Sequence, residues 1–475
     1  MRNLKPVLFI QSVIVSLALL FSAYYFMLGL RVDSFIFPLC VITVLLSAWT
    51  LVSWNRVTGH FFDLYTIFIA GTAAFNCGQV FLEVFGLNAQ GLLFGKFTNT
   101  VLFETVLFVI LAFSMIHLGA LLRVSKMDSI PEAGKPEPAP QALLQVGLLL
   151  ISISILPVVW SLKDMYDVVR TSGYFGLYVR EDQIGIHNVM TLIANFFLPG
   201  ALFTLAGSRD RKQIQLWSQV GIIFYGSLLI LIGRRGDGAE ALVSYLIVRH
   251  YCIRPVNKKL VFTLAALMMI VVFPLIATIR NIDLEKRGDI TMMINAYENI
   301  NNPGVSAIAE MGGSMQAISH TIVLVPKTRD YDFGASYLYA AFSIFPNLFW
   351  SIHPSVSHGS PSVWLVKTVE PDIAERGGGL GYSYIAEAYF NFGWWGGAIM
   401  LFWIGYGLSS LVCWSQFSGN PLKIAAAATF FASLLGFVRA DSQSIIRPLF
   451  WYSLFPYLLA KWIHARRKPD LKFRT

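Results

Sequence analysis

TNTVLFETVLFVILAFSMIHLGALL, residues 98–122, contains one formal charge, Glu104, in 25 consecutive positions. As a helix rising about 1.5 Å per residue, such a run covers the roughly 30 Å hydrocarbon core of a bilayer with residues to spare. The same criterion, an apolar run of about 18–25 residues, applied outward from this stretch, finds spans near 6–30, 35–54, 61–86, 142–162 and 187–206. It continues through 215–233, a short run at 238–250, and 260–279, 392–413, 422–438 and 448–463. Composition agrees with that count of about 12: of 475 residues, 56% are hydrophobic and 13% charged, roughly half the charge of an ordinary soluble domain. A water-soluble fold is excluded. The expected class is an all-α polytopic integral membrane protein.

An even number of spans puts both termini on one side. With the termini inside, the inner connections hold 20 of the 36 Lys and Arg residues, and the outer ones nine once the long connection is set aside, as the positive-inside rule requires for a long loop. The termini are therefore expected in the cytoplasm. The apolar run 337–352 is only 16 residues long and is interrupted at Pro346, so it reads as a helix lying on the outer surface. If it spanned, the basic tail HARRKPDLKFR would be outside. The expected organisation is a four-helix membrane segment over 1–125, a Pro-rich cytoplasmic linker over 126–141, and central membrane helices over 142–279. A large external loop with short amphipathic helices follows over 280–391, between spans nine and ten. C-terminal membrane helices over 392–463 and a basic tail over 464–475 complete the chain.

Several function classes drop out. The net charge of +9 is scattered beside apolar segments in ones to fours, which is no nucleic-acid patch. Cys40, Cys77, Cys252 and Cys413 lie in or beside apolar runs without C-x-x-C spacing, so neither a disulfide framework nor a zinc site is indicated. The N-terminal apolar stretch is too long for a cleaved signal peptide and reads as a retained span. The glycines at 377, 378, 379 and 381 match neither a dinucleotide fingerprint nor a Walker loop. Asp330-Tyr331-Asp332 has the D-x-D spacing of a metal and nucleotide-sugar site, but two acids at that spacing arise easily by chance. His353 and His358 lack a third ligand at a recognisable spacing. No metal and no cofactor is expected.

The charges that carry chemistry collect on the outer side. In LIGRRGDGAEALVSYLIVRH, residues 231–250, Arg234 and Arg235 sit between two apolar segments. The second segment gives only about 20 Å of helix, too short to cross, so the pair lies below the headgroups and needs an anion. Arg280, Arg376, Arg439 and Arg447 recur on the same side. Guanidinium forks bind phosphate bidentately and stay charged, and as a set they suit a pyrophosphate; each alone reads equally well as a loop ion pair with Asp283, Glu375 or Asp441. Glu387 enters the next apolar run near Tyr382 and Tyr389, and on a helix it shares a face with Tyr384 and Asn391. It reads as a general base or acceptor-orienting group, or as an acid holding the loop onto the helix.

The order of G-R-R after a mid-chain span, Arg280 at the next outer exit, FGASYLYAAFSIFPNLFW in the long loop and then GGGLGYSYIAEAYFNFGWWG resembles the bacterial O-antigen polymerases, the Wzy-type oligosaccharide repeat-unit polymerases. The resemblance covers mainly residues 225–413, and its most specific part is Glu387 to Gly396. It implies a GT-C-like glycosyltransferase of the bacterial inner membrane working on the periplasmic face. A growing glycan would pass from undecaprenyl pyrophosphate to the non-reducing end of one lipid-linked repeat unit. On that reading Arg234, Arg235, Arg280 and Arg439 hold the pyrophosphate, Glu387 is general base or orients the acceptor, Arg376, Tyr382 and Tyr389 form the glycan cleft, and Arg447 is a further substrate-binding residue. Expected partners are undecaprenyl-pyrophosphate-linked glycans and membrane lipids, with a chain-length regulator and a flippase alongside. A ligase-like transferase to another acceptor, and a flippase or exporter that makes no bond, are the competing readings. Arg280→Ala is expected to abolish long-chain polysaccharide at unchanged protein level; a normal ladder on a polysaccharide gel would remove Arg280 from the site.

Overall fold

The computed structural model describes residues 4–29, 33–127, 140–177, 186–209, 211–275, 302–347 and 350–467. Arg280, the body of the Pro-rich linker and most of the basic tail lie outside these residues. The described residues are helical with no strands. The N-terminal half contains α1 (Leu4–Leu28), α2 (Ile36–Thr58), α3 (Leu64–Val84), α4 (Asn99–Ser125) and α5 (Pro140–Ser172). It continues with α6 (Ile186–Ala194), α7 (Phe197–Gly207), α8 (Lys212–Ile232), α9 (Arg235–Val248) and α10 (Lys258–Leu267). Among the described residues nine helical stretches are long and apolar enough to cross a membrane, with α6 and α7 together forming one of them.

The central helix is α4, the stretch from which the reading began: 83% of its most apolar window is buried, against 28% for α1. A helix that is apolar on every side belongs in the middle of a bundle. Its closest neighbour is α17 (Tyr384–Trp414). The two backbones approach so closely that a Cβ at Gly119 would overlap the Phe402 carbonyl oxygen, and one at Gly405 the Ile116 carbonyl oxygen. In lipid, where hydrophobic exclusion does not drive helices together, small residues that permit such contact supply the attraction. Buried polar groups add specific ties. Gln11 of α1 donates to the Ser114 carbonyl at 2.7 Å and accepts from Trp49 Nε1 at 2.9 Å, linking α1, α2 and α4.

The long connection is built of short helices: α11 (Pro303–Gly312), α12 (Met315–Leu324), α13 (Ala335–Phe342), α14 (Pro354–His358), α15 (Pro361–Val369) and α16 (Pro371–Glu375). The first two insert against the bundle. Gln79 Nε2 of α3 donates to the Ala309 carbonyl at 3.0 Å, and Thr105 of α4 donates to Ser319 at 2.9 Å. The apolar run 337–352 contains α13 and ends its helix at Phe342, ahead of Pro346. After α17 the chain continues as α18 (Pro421–Gly436), α19 (Gln443–Pro448) and α20 (Phe455–Arg467). The bundle end that carries α11–α16 is called the loop face below.

Some expected boundaries shift. The expected span 142–162 belongs to a 33-residue helix, α5, which is roughly 50 Å long and so outruns a bilayer core of about 30 Å. The expected span at 392 begins eight residues earlier, at Tyr384, because Ser383 caps the helix by accepting from the Ile385 amide at 3.1 Å. Three expected spans are helical but short or interrupted. Thus α9 has 14 residues and runs into a π-turn over Arg249–Ile253, α10 has ten and runs into another over Met268–Val272, and α20 follows a third over Leu449–Leu454. Within α17 the backbone breaks at Gly393 (φ 64°, ψ −156°), where a Cβ would lie 2.9 Å from the Tyr331 ring. Only glycine takes that conformation without strain.

Gly119→Leu is expected to force α4 and α17 apart, an overpacking cost of at least about 1–3 kcal/mol. A thermal scan in detergent should show a lower Tm and poorer yield. Gly407→Leu on the same α17, where a Cβ meets open space, should leave both unchanged.

Candidate functional site

The hairpin of α8 and α9 positions the charges. Gly233 closes α8 in the left-handed conformation at φ 105°, its amide bonded to the Ile230 carbonyl. Arg234, Asp237 and Glu240 then recur at three-residue steps, which places them along one side of α9. Arg234 Nε forms an ion pair with Asp237 Oδ2, and Arg234 Nη1 lies 3.7 Å from Met165 Sδ on α5. All three charged side chains line a cavity of about 190 Å³ at the loop face. Tyr225 of α8, Asn195, Ser433 of α18 and Tyr452 are the main polar groups around them. One guanidinium therefore faces two carboxylates. The cavity is charged, and residues of α5, α7 and α18 form the rest of its wall.

The neighbouring arginine goes elsewhere. Arg235 pairs with Glu310 of α11, donates from Nη1 to the Phe273 carbonyl at 3.2 Å, and lies 5.8 Å over the Phe273 ring. Consecutive arginines thus serve two bodies, the cavity and the inserted loop. Arg447 comes close to the cavity from α19. Its Nε donates to the Ser343 carbonyl at 2.6 Å, and the next residue, Pro448, is part of the cavity wall.

Glu387 lies in a second cluster. It is fully buried: Oε1 accepts from Ser336 at 2.9 Å and from the Ser442 hydroxyl at 2.7 Å, while Oε2 accepts from the Ser442 amide at 2.8 Å. Four residues on, Asn391 donates to Ser336 at 2.8 Å and accepts from the Gly334 amide at 2.8 Å. Together they fasten the start of α17 to α13 and to the segment leading into α19, the helix that carries Arg447. The same layer holds Tyr382, whose amide donates to the Arg439 carbonyl at 2.9 Å. Burial, together with the nearby Glu387 carboxylate, pushes the Tyr382 hydroxyl well above its usual range, so it stays neutral. The Arg439 guanidinium lies 5.4 Å over the Phe75 ring. Tyr389 packs edge-on to Phe108, with centroids 5.3 Å apart, and Arg376 is exposed at the end of α16. Of the residues expected together, the structure puts Arg234 on the hollow, brings Arg447 only as far as the residue next to its wall, and gathers Tyr382, Glu387 and Arg439 in one layer. It turns Arg235 away and leaves Arg376 at the surface.

Two sets escaped the sequence reading. Asp237 and Glu240 share the cavity with Arg234, and their three-residue spacing in a short apolar helix was a legible signal. Asp332 accepts from Arg329 Nη2 at 2.9 Å on one oxygen, and its other oxygen lies 3.0 Å from His358 Nε2. The Arg329 guanidinium in turn lies 4.8 Å over the Phe390 ring. Asp332 and His358 were each noted and set aside in the sequence; that they pair, across 26 residues, had no local signal.

A family model described as O-antigen polysaccharide polymerase Wzy matches residues 7–465, nearly the whole chain. The chain belongs to this family. Neither the curated proteins nor the solved structures gave a match. Family membership extends the likeness from the middle of the chain to its first four helices, and makes the chain a glycosyltransferase-type polymerase of O-antigen repeat units, a multi-pass membrane protein whose family acts on lipid-linked glycans.

Glu387→Ala leaves a buried amide and two hydroxyls without their acceptor, at about 1–3 kcal/mol each. The expected outcome is a marked fall in Tm and faster limited proteolysis between α12 and α17, with Glu387→Gln intermediate because one oxygen remains. An unchanged melting curve for the alanine variant would contradict this fastening role.

Proposed function

We propose that the protein joins lipid-linked repeat units by transferring the growing glycan from undecaprenyl pyrophosphate to the non-reducing end of a second undecaprenyl-pyrophosphate-linked unit. The reaction takes place at the periplasmic face of the bacterial inner membrane. The chain crosses about twelve times in a GT-C-like arrangement with cytoplasmic termini, and the short or interrupted α9, α10 and α20 complete the count. The single observation that carries this reading is the charged cavity at the loop face, lined by Arg234 and two carboxylates, with Arg447 adjoining its wall residue Pro448.

The chemistry follows from that placement. The departing pyrophosphate develops negative charge as the glycosidic bond to it breaks, and fixed guanidinium groups in a water-poor site stabilise that charge most effectively. Asp237 holds Arg234 in place on the wall of the hollow. Among the described residues Arg447 is anchored through Nε, by the Ser343 carbonyl, and its terminal nitrogens are assigned to the leaving group. Arg280, Arg439 and Arg235 add positive potential around the leaving group. Arg376, Tyr382 and Tyr389 shape the path of the glycan. Glu387 acts through Ser442 and Ser336 to set the position of α19, and with it Arg447. Chain-length regulator and flippase partners fit a polymerase that must be fed and stopped.

Purified protein incubated with a synthetic undecaprenyl-pyrophosphate repeat unit is expected to yield a ladder of longer lipid-linked glycans. Arg234→Ala and Arg447→Ala should each cut the polymerisation rate by about 10² or more, with unchanged membrane abundance. If wild-type protein returned only the monomer, or moved the glycan solely to a different acceptor, the polymerase reading would fail.

A further inference from the structure

Glu240 differs from the paired acids around it. Asp237 is paired with Arg234, Glu310 with Arg235, Asp332 with Arg329, and Glu387 accepts three hydrogen bonds. Asp441 accepts from both the Ser362 amide and the Ser362 hydroxyl. Among the described residues no hydrogen-bond donor and no cationic partner within bonding distance reaches the Glu240 carboxylate, although it lines the same cavity as Arg234, Tyr225, Asn195 and Tyr452. Glu240 is half-buried, and a carboxylate on a cavity wall whose oxygens no protein group occupies is open to a donor brought by a ligand.

The fold makes room for it. Gly436, in the last turn of α18, faces the carboxylate, and a Cβ there would lie 2.7 Å from Glu240 Oε1. Gly436 has ordinary helical angles (φ −64°, ψ −29°), so its backbone does not require glycine. The space does. The polar groups around Glu240 are hydroxyl and amide groups, suited to a sugar, and with two carboxylates against one guanidinium the cavity is a poor home for a diphosphate alone. The diphosphate lies toward Arg234 and Arg447 at its rim; the interior suits a neutral, hydroxyl-rich ring.

Resting on the polymerase reading, we propose that Glu240 is the general base of the transfer and receives the proton of the acceptor sugar hydroxyl. The acceptor oxygen bonds to the anomeric carbon of the donor glycan as the bond from that carbon to the pyrophosphate oxygen breaks. The pyrophosphate keeps the electron pair, and the hydroxyl proton passes to Glu240 Oε1 or Oε2. Atoms and charge balance without a metal, oxidant or co-reactant. Glu387, with both oxygens already accepting from Ser336 and Ser442, is a positioning residue for this step.

The test uses full-length protein in nanodiscs with the synthetic undecaprenyl-pyrophosphate repeat unit. Glu240→Gln should lower kcat by about 10²–10⁴ while KM stays within about twofold, and sodium formate should restore part of the polymer to Glu240→Ala but none to Glu240→Gln, whose amide fills the space. Gly436→Ala, which leaves the carboxylate in place chemically but presses on it, should lower kcat about tenfold and decides the matter if the Glu240 variants misfold. A Glu240→Gln enzyme with at least half of wild-type kcat, a change confined to KM, or a fully active Gly436→Ala enzyme overturns the assignment while wild-type polymer upholds the polymerase reading. Absence of polymer from wild-type protein overturns both.

Discussion

The contact between α4 and α17 governs the rest of the molecule. Gly119 and Gly405 let two apolar helices touch backbone to backbone, and everything on the loop face is hung from the helix thus fixed. α17 brings Glu387 and Asn391 at its start, and these hold α13 and the approach to α19. α19 brings Arg447 to the cavity wall. A chain of short-range contacts therefore runs from a lipid-buried glycine pair to the charged hollow, and each link is a close contact or a hydrogen bond between groups that lipid cannot satisfy.

The cavity draws its character from a different pair of elements. The α8–α9 hairpin turns at Gly233, so that the first turns of α9 present charges to the hollow. Arg234, Asp237 and Glu240 are tolerable there because they neutralise one another in part and because the hollow beside them is polar. The layer above, built on Glu387 and Asp441, has no unpaired acid. Structure and chemistry thus separate into neighbouring zones: one where Glu387 and Asp441 are matched, and one where a carboxylate is left open.

Much of this was legible in the sequence. Residues 98–122 announced the central helix because nothing polar interrupts them, and the nine long apolar helices followed from the same periodicity-free hydrophobicity. The shortness of 238–250 marked the hairpin and its arginines. The partners of those arginines were not legible. Arg234 and Arg235 are adjacent in sequence yet face different bodies, since successive helical residues point about 100° apart, and Glu310 lies in a loop helix whose insertion the hydropathy did not show. Glu387 stood out as a carboxylate entering an apolar run; that its acceptors would be filled by Ser336 and Ser442 depends on contacts across 51 and 55 residues, beyond any local pattern. Glu240 was quoted and passed over because a single glutamate in a short helix looks ordinary until the donors around it are counted.

The first turn of α9 is fastened at both edges, by Arg234 to the hollow and by Arg235 to Glu310 on the inserted loop. Two side-by-side cations of the same type therefore tie the inserted loop helix and the charged hollow to one helical turn, and that turn is the shared footing of both.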